Sequence, residues 1–354
     1  MKKNSVTITL AELENFYEEI FTKLGVSNDI AAITSKNFVY ADAKGADTHG
    51  VLRLPIYVQR LQKGLVKKNP DLKWEQETHN SIVLNADNGL GHYTTQAAVE
   101  KAIEKAADSG ISMVTVYNNN HFGAAGCYAK MIAEKGMIGF VTTNGAPLIA
   151  PVGGAERVLG NNPFSFAVPR KNQEPVVFDM ANSVVSAGKL MVAHHNGESI
   201  PEGWALDADG EPTTDPYKAY NGGGTLVPIA GHKGFGLSLM MDVLAGVLSG
   251  ANFGKDVYGL ANHEKVTGNG NAIIAINIEK LMPKERFFDR LEALLSMVTD
   301  SKKAGGAERI YLPGEKGQET RIRNLETGIQ VNSKLHEELQ EIADQLGAPL
   351  YKFT

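Results

Sequence analysis

Three short stretches of the chain carry residue types that could do chemistry. The first is Asp47-Thr48-His49-Gly50-Val51-Leu52-Arg53-Leu54-Pro55. Histidine titrates near pH 6.5 and is the most common side chain for giving or taking a proton at neutral pH. Arg53, four residues on, offers a guanidinium fork that matches a carboxylate. The plain alternative is a loop histidine followed by an arginine in a helix-end ion pair. The second stretch is Asn118-Asn119-Asn120-His121-Phe122-Gly123. It lies where a strand pattern gives way to a helix pattern, the usual ligand position in α/β sheets. Its amides and imidazole could hold a carbonyl or an amide; equally, an asparagine could cap the helix beside a solvated histidine. The third is Ile229-Ala230-Gly231-His232-Lys233-Gly234-Phe235-Gly236. Glycines let backbone approach a ligand, helix-start N–H groups favour an anion, and Lys233 adds charge, so a phosphate or pyrophosphate fits. Otherwise the stretch is a glycine-rich cap on a buried helix.

Other candidates are softer. Phe178-Asp179-Met180-Ala181 puts an acid at a strand end, where it could bind a ribose, orient a histidine or cap the next helix. Pro151–Gly154 and Leu159–Pro163 read first as turns. His194-His195 reads as a helix end, and Cys127 as packed within its helix. No metal site is expected, because no two candidate ligands have a convincing spacing. G-x-G-x-x-G after a strand, G-x-x-x-x-G-K-[ST] and H-E-x-x-H are absent, so a nucleotide site must be of another type. G-x-S-x-G is absent too, which weakens a hydrolase reading.

These residues need a scaffold, and composition bounds it. With 354 residues the chain has room for about two domains. Hydrophobic residues at 43% and charged residues at 21% are those of a globular protein. Lys+Arg 35 against Asp+Glu 40 gives a net charge of −5, which argues against a nucleic-acid face. One cysteine excludes an internal disulfide framework. Glu12 and Glu14 interrupt any apolar run after Met1-Lys2-Lys3, so no signal peptide is expected. The apolar stretch Gly234–Gly250 contains Asp242 and is too short to span a bilayer; it reads as a buried core helix. The chain therefore reads as soluble and cytoplasmic. The 37 glycines exceed the usual ~7%, implying either slack loops or many close backbone approaches.

Thr9-Leu10-Ala11-Glu12 fits a capping box, with Leu13, Phe16, Tyr17, Ile20 and Leu24 at helical spacing behind it. A second helix spans about 28–44, and Pro55 opens a third ending near Gly64. From Ser81 the period changes: strand 81–85, helix 94–109, strand 111–117, helix 123–135 and strand 137–143. The last three are expected to form a parallel, right-handed βαβ unit. Short strands follow at 164–168 and 176–180, then a helix within 183–195. Residues 196–232 are a glycine- and proline-rich loop, packed by Trp204, Leu206 and Tyr217. Strand 272–278, helix 284–302, a short strand 309–312 and a C-terminal helix 333–347 complete an α/β chain. The division expected is a helical domain over 1–75 completed by 316–354, and a sheet domain over 76–315.

Read together, the blocks resemble the malate/L-lactate dehydrogenase family that lacks a Rossmann fold, whose relatives include ureidoglycolate, sulfolactate and diketogulonate dehydrogenases. The resemblance covers nearly the whole chain. It rests on Ala41-Asp42-Ala43-Lys44-Gly45, Thr48-His49-Gly50-Val51, Arg53-Leu54-Pro55, Asn120-His121-Phe122-Gly123-Ala124-Ala125-Gly126, Ala150-Pro151-Val152-Gly153-Gly154 and Leu159-Gly160-Asn161-Asn162-Pro163. Asp179-Met180-Ala181, Gly203-Trp204-Ala205, Pro212-Thr213-Thr214-Asp215-Pro216 and Gly231-His232-Lys233-Gly234-Phe235-Gly236-Leu237 follow in the family's order. It implies a large mixed β-sheet with flanking helices, a non-Rossmann nucleotide site and a smaller helical domain. It implies interconversion of a 2-hydroxy acid and a 2-oxo acid with NAD, or alternatively NADP, in a homodimer, without nucleic-acid or membrane partners. Malate is the default substrate, with ureidoglycolate and lactate as alternatives. The resemblance makes His121 or His49 the acid/base, with His121 favoured, and Arg53, Thr48 and Asn120 the substrate contacts. Gly145, Asp179, Met180, Ala181, Lys233 and, more loosely, Gly305, Gly306 and Ala307 match cofactor positions. Thr48 stands where the family commonly has Ser, and Asn161 where Thr or Ser is usual.

Overall fold

Local sequence signals set the first helices. A strand β1 (Ser5–Ile8) leads into helix α1 (Leu10–Lys23). The Glu12 N–H donates to Thr9 Oγ1 at 3.2 Å, and the Thr9 N–H donates to the Glu12 carboxylate at 3.1 Å, as the capping box predicts. Helices α2 (Asn28–Ala43) and α3 (Leu54–Gln62) follow, with Pro55 in the first turn of α3. The computed structural model describes residues 5–46 and 48–349. Met1–Lys3, the basic start, and Asp47, the first residue of the His49 stretch, lie outside the described residues.

The next elements are β2 (Lys73–Glu75), β3 (Ser81–Asn85), α4 (Gly91–Ser109), β4 (Ile111–Asn119), α5 (Ala125–Glu134), β5 (Met137–Thr143), β6 (Phe164–Arg170) and β7 (Gln173–Met180). After α6 (Ala187–Asn196) come β8 (Ala205–Leu206), β9 (Pro212–Thr213), α7 (Pro216–Ala219), β10 (Thr225–Leu226) and α8 (His232–Asp242). The chain closes with β11 (Asn269–Asn277), α9 (Lys284–Thr299), α10 (Glu315–Thr327), β12 (Ile329–Asn332) and α11 (Ser333–Leu346).

A seven-stranded mixed sheet runs in the order β2-β3-β4-β11-β5-β6-β7. Only β3 and β4 pair in parallel; every other neighbour is antiparallel. The parallel unit expected from β4 through α5 to β5 is therefore different in detail. β4 and β5 run in one direction, but β11 lies between them, antiparallel to both. A run of buried apolar residues in β11 (Ala272, Ile273, Ala275) suits a strand covered on both faces.

Two apolar cores meet at a seam. One joins Leu13, Phe16, Ile20, Phe38 and Leu54 of α1–α3 to Leu335 and Leu339 of α11, and β1 pairs antiparallel with β12. The other packs α4 and α5 on the sheet through Val99, Ala129, Ile132, Val114 and Ile273. Each such large apolar side chain contributes roughly 1.5–3 kcal/mol when fully buried, against about 0–1 kcal/mol for a surface ion pair. The cores are thus held by apolar burial, while polar contacts cross the seam, among them the Arg60 guanidinium donating to the Leu260 and Lys265 carbonyls. Residues 196–232, read as a loop packed by Trp204, Leu206 and Tyr217, hold short elements instead; Trp204 packs on the core, but Tyr217 is exposed. β8, β9 and β10 form a small sheet, and Leu190, Ile200, Ala205 and Leu226 share a core beneath it.

Two further expectations are corrected. The stretch read as a buried core helix is α8, continued by a π-helical turn over Val243–Val247, and much of its apolar surface is exposed: Leu237, Met240, Val243, Val247 and Leu248. Only one side, with Ser238, Met241 and Ala245, faces inward. Residues 309–312, read as a strand, form none: the segment runs beside the edge strand β7 without pairing with it, and Arg309 turns to Glu315 and Glu319.

Candidate active site

The His49 turn is anchored by a buried carboxylate. Asp42, at the end of α2, accepts from the Tyr17 hydroxyl at 2.6 Å and from the Val51 N–H at 2.8 Å. These bonds fold the turn back over α2, and Gly50 is needed there because any Cβ would overlap the Asp42 carboxylate. Within the turn, His49 Nδ1 and Thr48 Oγ1 are 2.8 Å apart, and Arg53 Nε donates to the Thr48 carbonyl at 2.7 Å. One helical turn beyond Arg53, Tyr57 reaches across the seam, its hydroxyl 2.6 Å from His121 Nδ1.

His121 sits where β4 gives way to α5. The asparagines before it are scaffold. Asn119 is buried and bridges Thr94 (2.6 Å) and Asn271 (2.7 Å). Asn120 is buried, donating to Asn88 and Gly89 and accepting from Thr267. Gly123, at φ +80°, turns the chain into α5, and His92 Nε2 lies 2.9 Å from where its Cβ would stand. The sharp turn leaves His121 facing a cleft.

In that cleft the His49 and His121 rings stack, with centroids 5.5 Å apart and planes at 24°. The cleft holds about 330 Å³ and is also lined by Thr48, Gly145, Asp179, Met180 and Ala181, within the range of small-molecule sites. A second cavity of about 200 Å³ shares Ala46, Ala124 and Asp179 with it and continues toward Lys44 and Gly314. The fold therefore brings together both histidines, Thr48 and four of the matched cofactor positions. Arg53 borders the histidines without lining the cleft. Asn120 is turned away into the scaffold. Lys233 is exposed at the start of α8, and Gly305, Gly306 and Ala307 lie on an exposed loop; none of these four lines the cleft. Sequence reading missed Tyr57, His92 and Tyr258, the last lining the cleft from the 254–266 loop. For Tyr57 a signal existed: it follows Arg53 by four residues, which on a helix is the same face.

Crowding governs the electrostatics. Burial lowers His49 to about 4, with the Arg53 charge adding to the effect. Burial pushes His121 well below its ordinary value, reinforced by His49, Arg53 and His92. Asp179 opens onto the cleft, but protein packed around it raises its carboxyl to about 6, against the Gly126 N–H that donates to it at 2.8 Å. His92 is 1% exposed, its Nδ1 has no partner among the described residues, and burial lowers it to about 3.

A histidine with a depressed folded pKa stabilises the fold fully above the unfolded value near 6.5. That stability is lost as pH falls toward the folded value, because the unfolded chain binds the proton first. His92 alone accounts for a loss of about 2 kcal/mol between pH 7 and pH 5, at ~1.4 kcal/mol per unit below 6.5. Urea unfolding at the two pH values measures it. The His92→Gln variant is expected to have the flatter pH dependence, and equal slopes would remove His92 as the cause.

A family model described as malate/L-lactate dehydrogenase matches residues 8–340. A malate dehydrogenase of Pyrococcus abyssi is 42% identical over 352 residues, covering 98% of this chain and 96% of the relative. A ureidoglycolate dehydrogenase (NAD(+)) of Escherichia coli O157:H7 is 32% identical over 340 residues, covering 96% of each. The solved structure of sulfolactate dehydrogenase from Methanocaldococcus jannaschii matches with a TM-score of 0.91 at 36% identity over 98% of both chains. With a seven-stranded mixed sheet and full-length matches of this kind, the chain belongs to the malate/L-lactate dehydrogenase family of hydroxy-acid dehydrogenases.

Proposed function

We propose that this protein interconverts malate and oxaloacetate by NAD-dependent hydride transfer, with His121 moving the proton, His49 beside it and Arg53 holding the substrate carboxylate. The observation that carries this reading is the stacked pair of imidazoles at a cleft that also presents Gly145 and Asp179–Ala181. A nicotinamide dinucleotide fits the lining. Phe122, Ala124, Pro163 and Met180 provide apolar surface for a ring, and the Asn161 carboxamide has no partner among the described residues. Asp179 uses one oxygen on Gly126 and leaves the other for a ribose hydroxyl. A carboxylate there accepts a hydroxyl and repels a phosphate, which supports NAD over NADP.

When bound, the cofactor supplies the hydride exchange at substrate C2. The chain's own residues do the rest. An imidazolium at His121 gives its Nε2 proton to the oxygen on C2 during reduction, and the neutral ring takes it back during oxidation. Arg53 Nε is committed to Thr48, which leaves the two terminal nitrogens to grip a carboxylate end-on and fix C2 in place. The carboxylate also raises the low pKa values of both imidazoles, since an opposite charge nearby favours the protonated form.

The exposed apolar side chains of α8 and the turn after it, Leu237, Met240, Val243, Val247 and Leu248, support a homodimer, because apolar patches of this kind mark interaction surfaces. No helix among the described residues is long and apolar enough to cross a membrane, in keeping with a cytoplasmic enzyme. The separate cores support a helical domain over 1–75 with 316–354 and a catalytic domain over 76–315.

The deciding experiment follows the absorbance of NADH and of NADPH with oxaloacetate, pyruvate and oxalurate. Oxaloacetate with NADH is expected to have the highest kcat/KM. A higher value for another acid replaces malate as the substrate, and flat traces despite cofactor binding would reduce the protein to a nucleotide binder.

A further inference from the structure

The Tyr57 hydroxyl has two partners on one residue. It lies 2.6 Å from His121 Nδ1 and 3.1 Å from the His121 carbonyl oxygen. A second group, the Gly123 N–H, points at the same Nδ1 from 3.3 Å. The demands on Nδ1 follow from tautomer chemistry. A neutral imidazole can accept a proton at Nε2 only if its hydrogen is on Nδ1, and the imidazolium that results carries a hydrogen on Nδ1 as well. Every form of His121 that takes or gives a proton at Nε2 therefore has an Nδ1–H that needs an acceptor. The Gly123 N–H is a donor and cannot serve; it supports only the idle tautomer, with hydrogen on Nε2. Among the described residues the Tyr57 oxygen is the one acceptor within hydrogen-bond reach of Nδ1.

We infer that Tyr57 is a positioning residue that keeps His121 in its working forms: its oxygen accepts from Nδ1–H while its own proton is directed to the His121 carbonyl. The inference rests on the reading that His121 moves the proton. No proton leaves Tyr57 in this scheme. The one proton transferred passes between the substrate oxygen and His121 Nε2, and the phenol only turns its O–H between Nδ1 and the carbonyl, a rotation that moves no heavy atom. The surroundings suit this task. Tyr57 is 1% exposed, its ring is held edge-on by Phe38 at 5.2 Å, and His92 packs beside it at 5.4 Å. Burial raises the Tyr57 pKa far above the ordinary phenol value, so it stays un-ionised. The other titratable and charged groups facing His121 are His49 and Arg53 from the turn after α2 and His92 from α4, with Asp179 and Tyr258 on the same cleft. None of them reaches Nδ1.

The test is Tyr57→Phe, which keeps the ring and removes the acceptor. Turnover is expected to fall about 10²-fold in both directions, the scale of a general acid–base contribution, with KM for the 2-oxo acid changed less than about threefold. Removing the acceptor costs the protonated form of His121 more than the neutral one, so its pKa falls further. In 2-oxo acid reduction, which needs protonated His121, the loss of rate with rising pH is expected to move down by about one unit, a tenfold change at fixed pH. NADH binding and the unfolding midpoint serve as controls for folding. If Tyr57→Phe unfolds the protein, a fluorotyrosine at the same position, a weaker acceptor of the same shape, is expected to move the limb the same way by a smaller amount. Wild-type turnover, or reduced turnover with an unmoved pH limb, overturns the inference and leaves Tyr57 as packing. Wild-type turnover in His121→Ala overturns the reading beneath it instead.

Discussion

His121→Ala is expected to lower turnover by roughly 10²-fold or more, the usual size of a general acid–base contribution, and His49→Ala to do the same by a different route. His121 has its Nδ1 side built for it by Tyr57 and Gly123, so removing the ring removes the proton carrier and leaves both partners facing a void. Among the described residues the His49 ring hydrogen-bonds only the neighbouring Thr48 hydroxyl, which can donate or accept. Its loss removes the ring stacked on His121 and one of the groups that depress the His121 pKa. The two variants therefore separate in their pH profiles. Reduction by His49→Ala retains its decline with rising pH, shifted upward because the electrostatic load on His121 is relieved. Reduction by His121→Ala loses that decline. Steady-state kinetics from pH 5 to 9 measure both. The reverse pattern exchanges the roles of the two histidines.

Arg53→Ala is expected to cut kcat/KM about 10²–10³-fold, the cost of losing a charge-assisted fork together with the orientation it imposes. Arg53→Lys should recover only part, because an ammonium keeps the charge without the planar fork. The location of Arg53 makes the KM–kcat split informative. It borders both histidines, lowers the pKa of each, and lies outside the cleft lining. A rise in KM for the 2-oxo acid is the signature of a carboxylate contact. An unchanged KM with a pH limb moved upward would instead confine Arg53 to its electrostatic effect on the imidazoles.

Much of the scaffold was legible because its signals are local. The α1 capping box, Pro55 at the start of α3 and the β-branched run of β4 each depend on a few neighbouring residues. So was the placement of His49 and His121, since each stands at a junction between elements, where side chains are free to face a ligand. The asparagines beside His121 show where local reading stops. Asn120 has the composition of a ligand contact, yet it is buried and both ends of its amide are engaged by Asn88, Gly89 and Thr267. These partners are 31 to 147 residues away in the chain, and no local pattern announces them. The same limit applies to α8. Apolar composition reads as core, but an apolar side chain left on the surface has the same letters as a buried one.

The glycine excess divides along this line. Gly50 and Gly123 are required by what lies against them, the Asp42 carboxylate and the His92 ring, and neither neighbour is adjacent in sequence. By itself the sequence determined the main helices and the central strands, which family the blocks resemble and which imidazoles stand at junctions, because turn chemistry, periodicity and residue type act over a few positions; short elements such as β1, β12 and α10 escaped it. The tertiary structure alone decided that β11 separates β4 from β5, that His49 and His121 stack face to face, and that the Tyr57 hydroxyl lies beside His121 Nδ1 while Asn120 turns into the scaffold. Those outcomes depend on burial and on hydrogen bonds between distant segments, whose free energies exist only once the two cores have closed on each other.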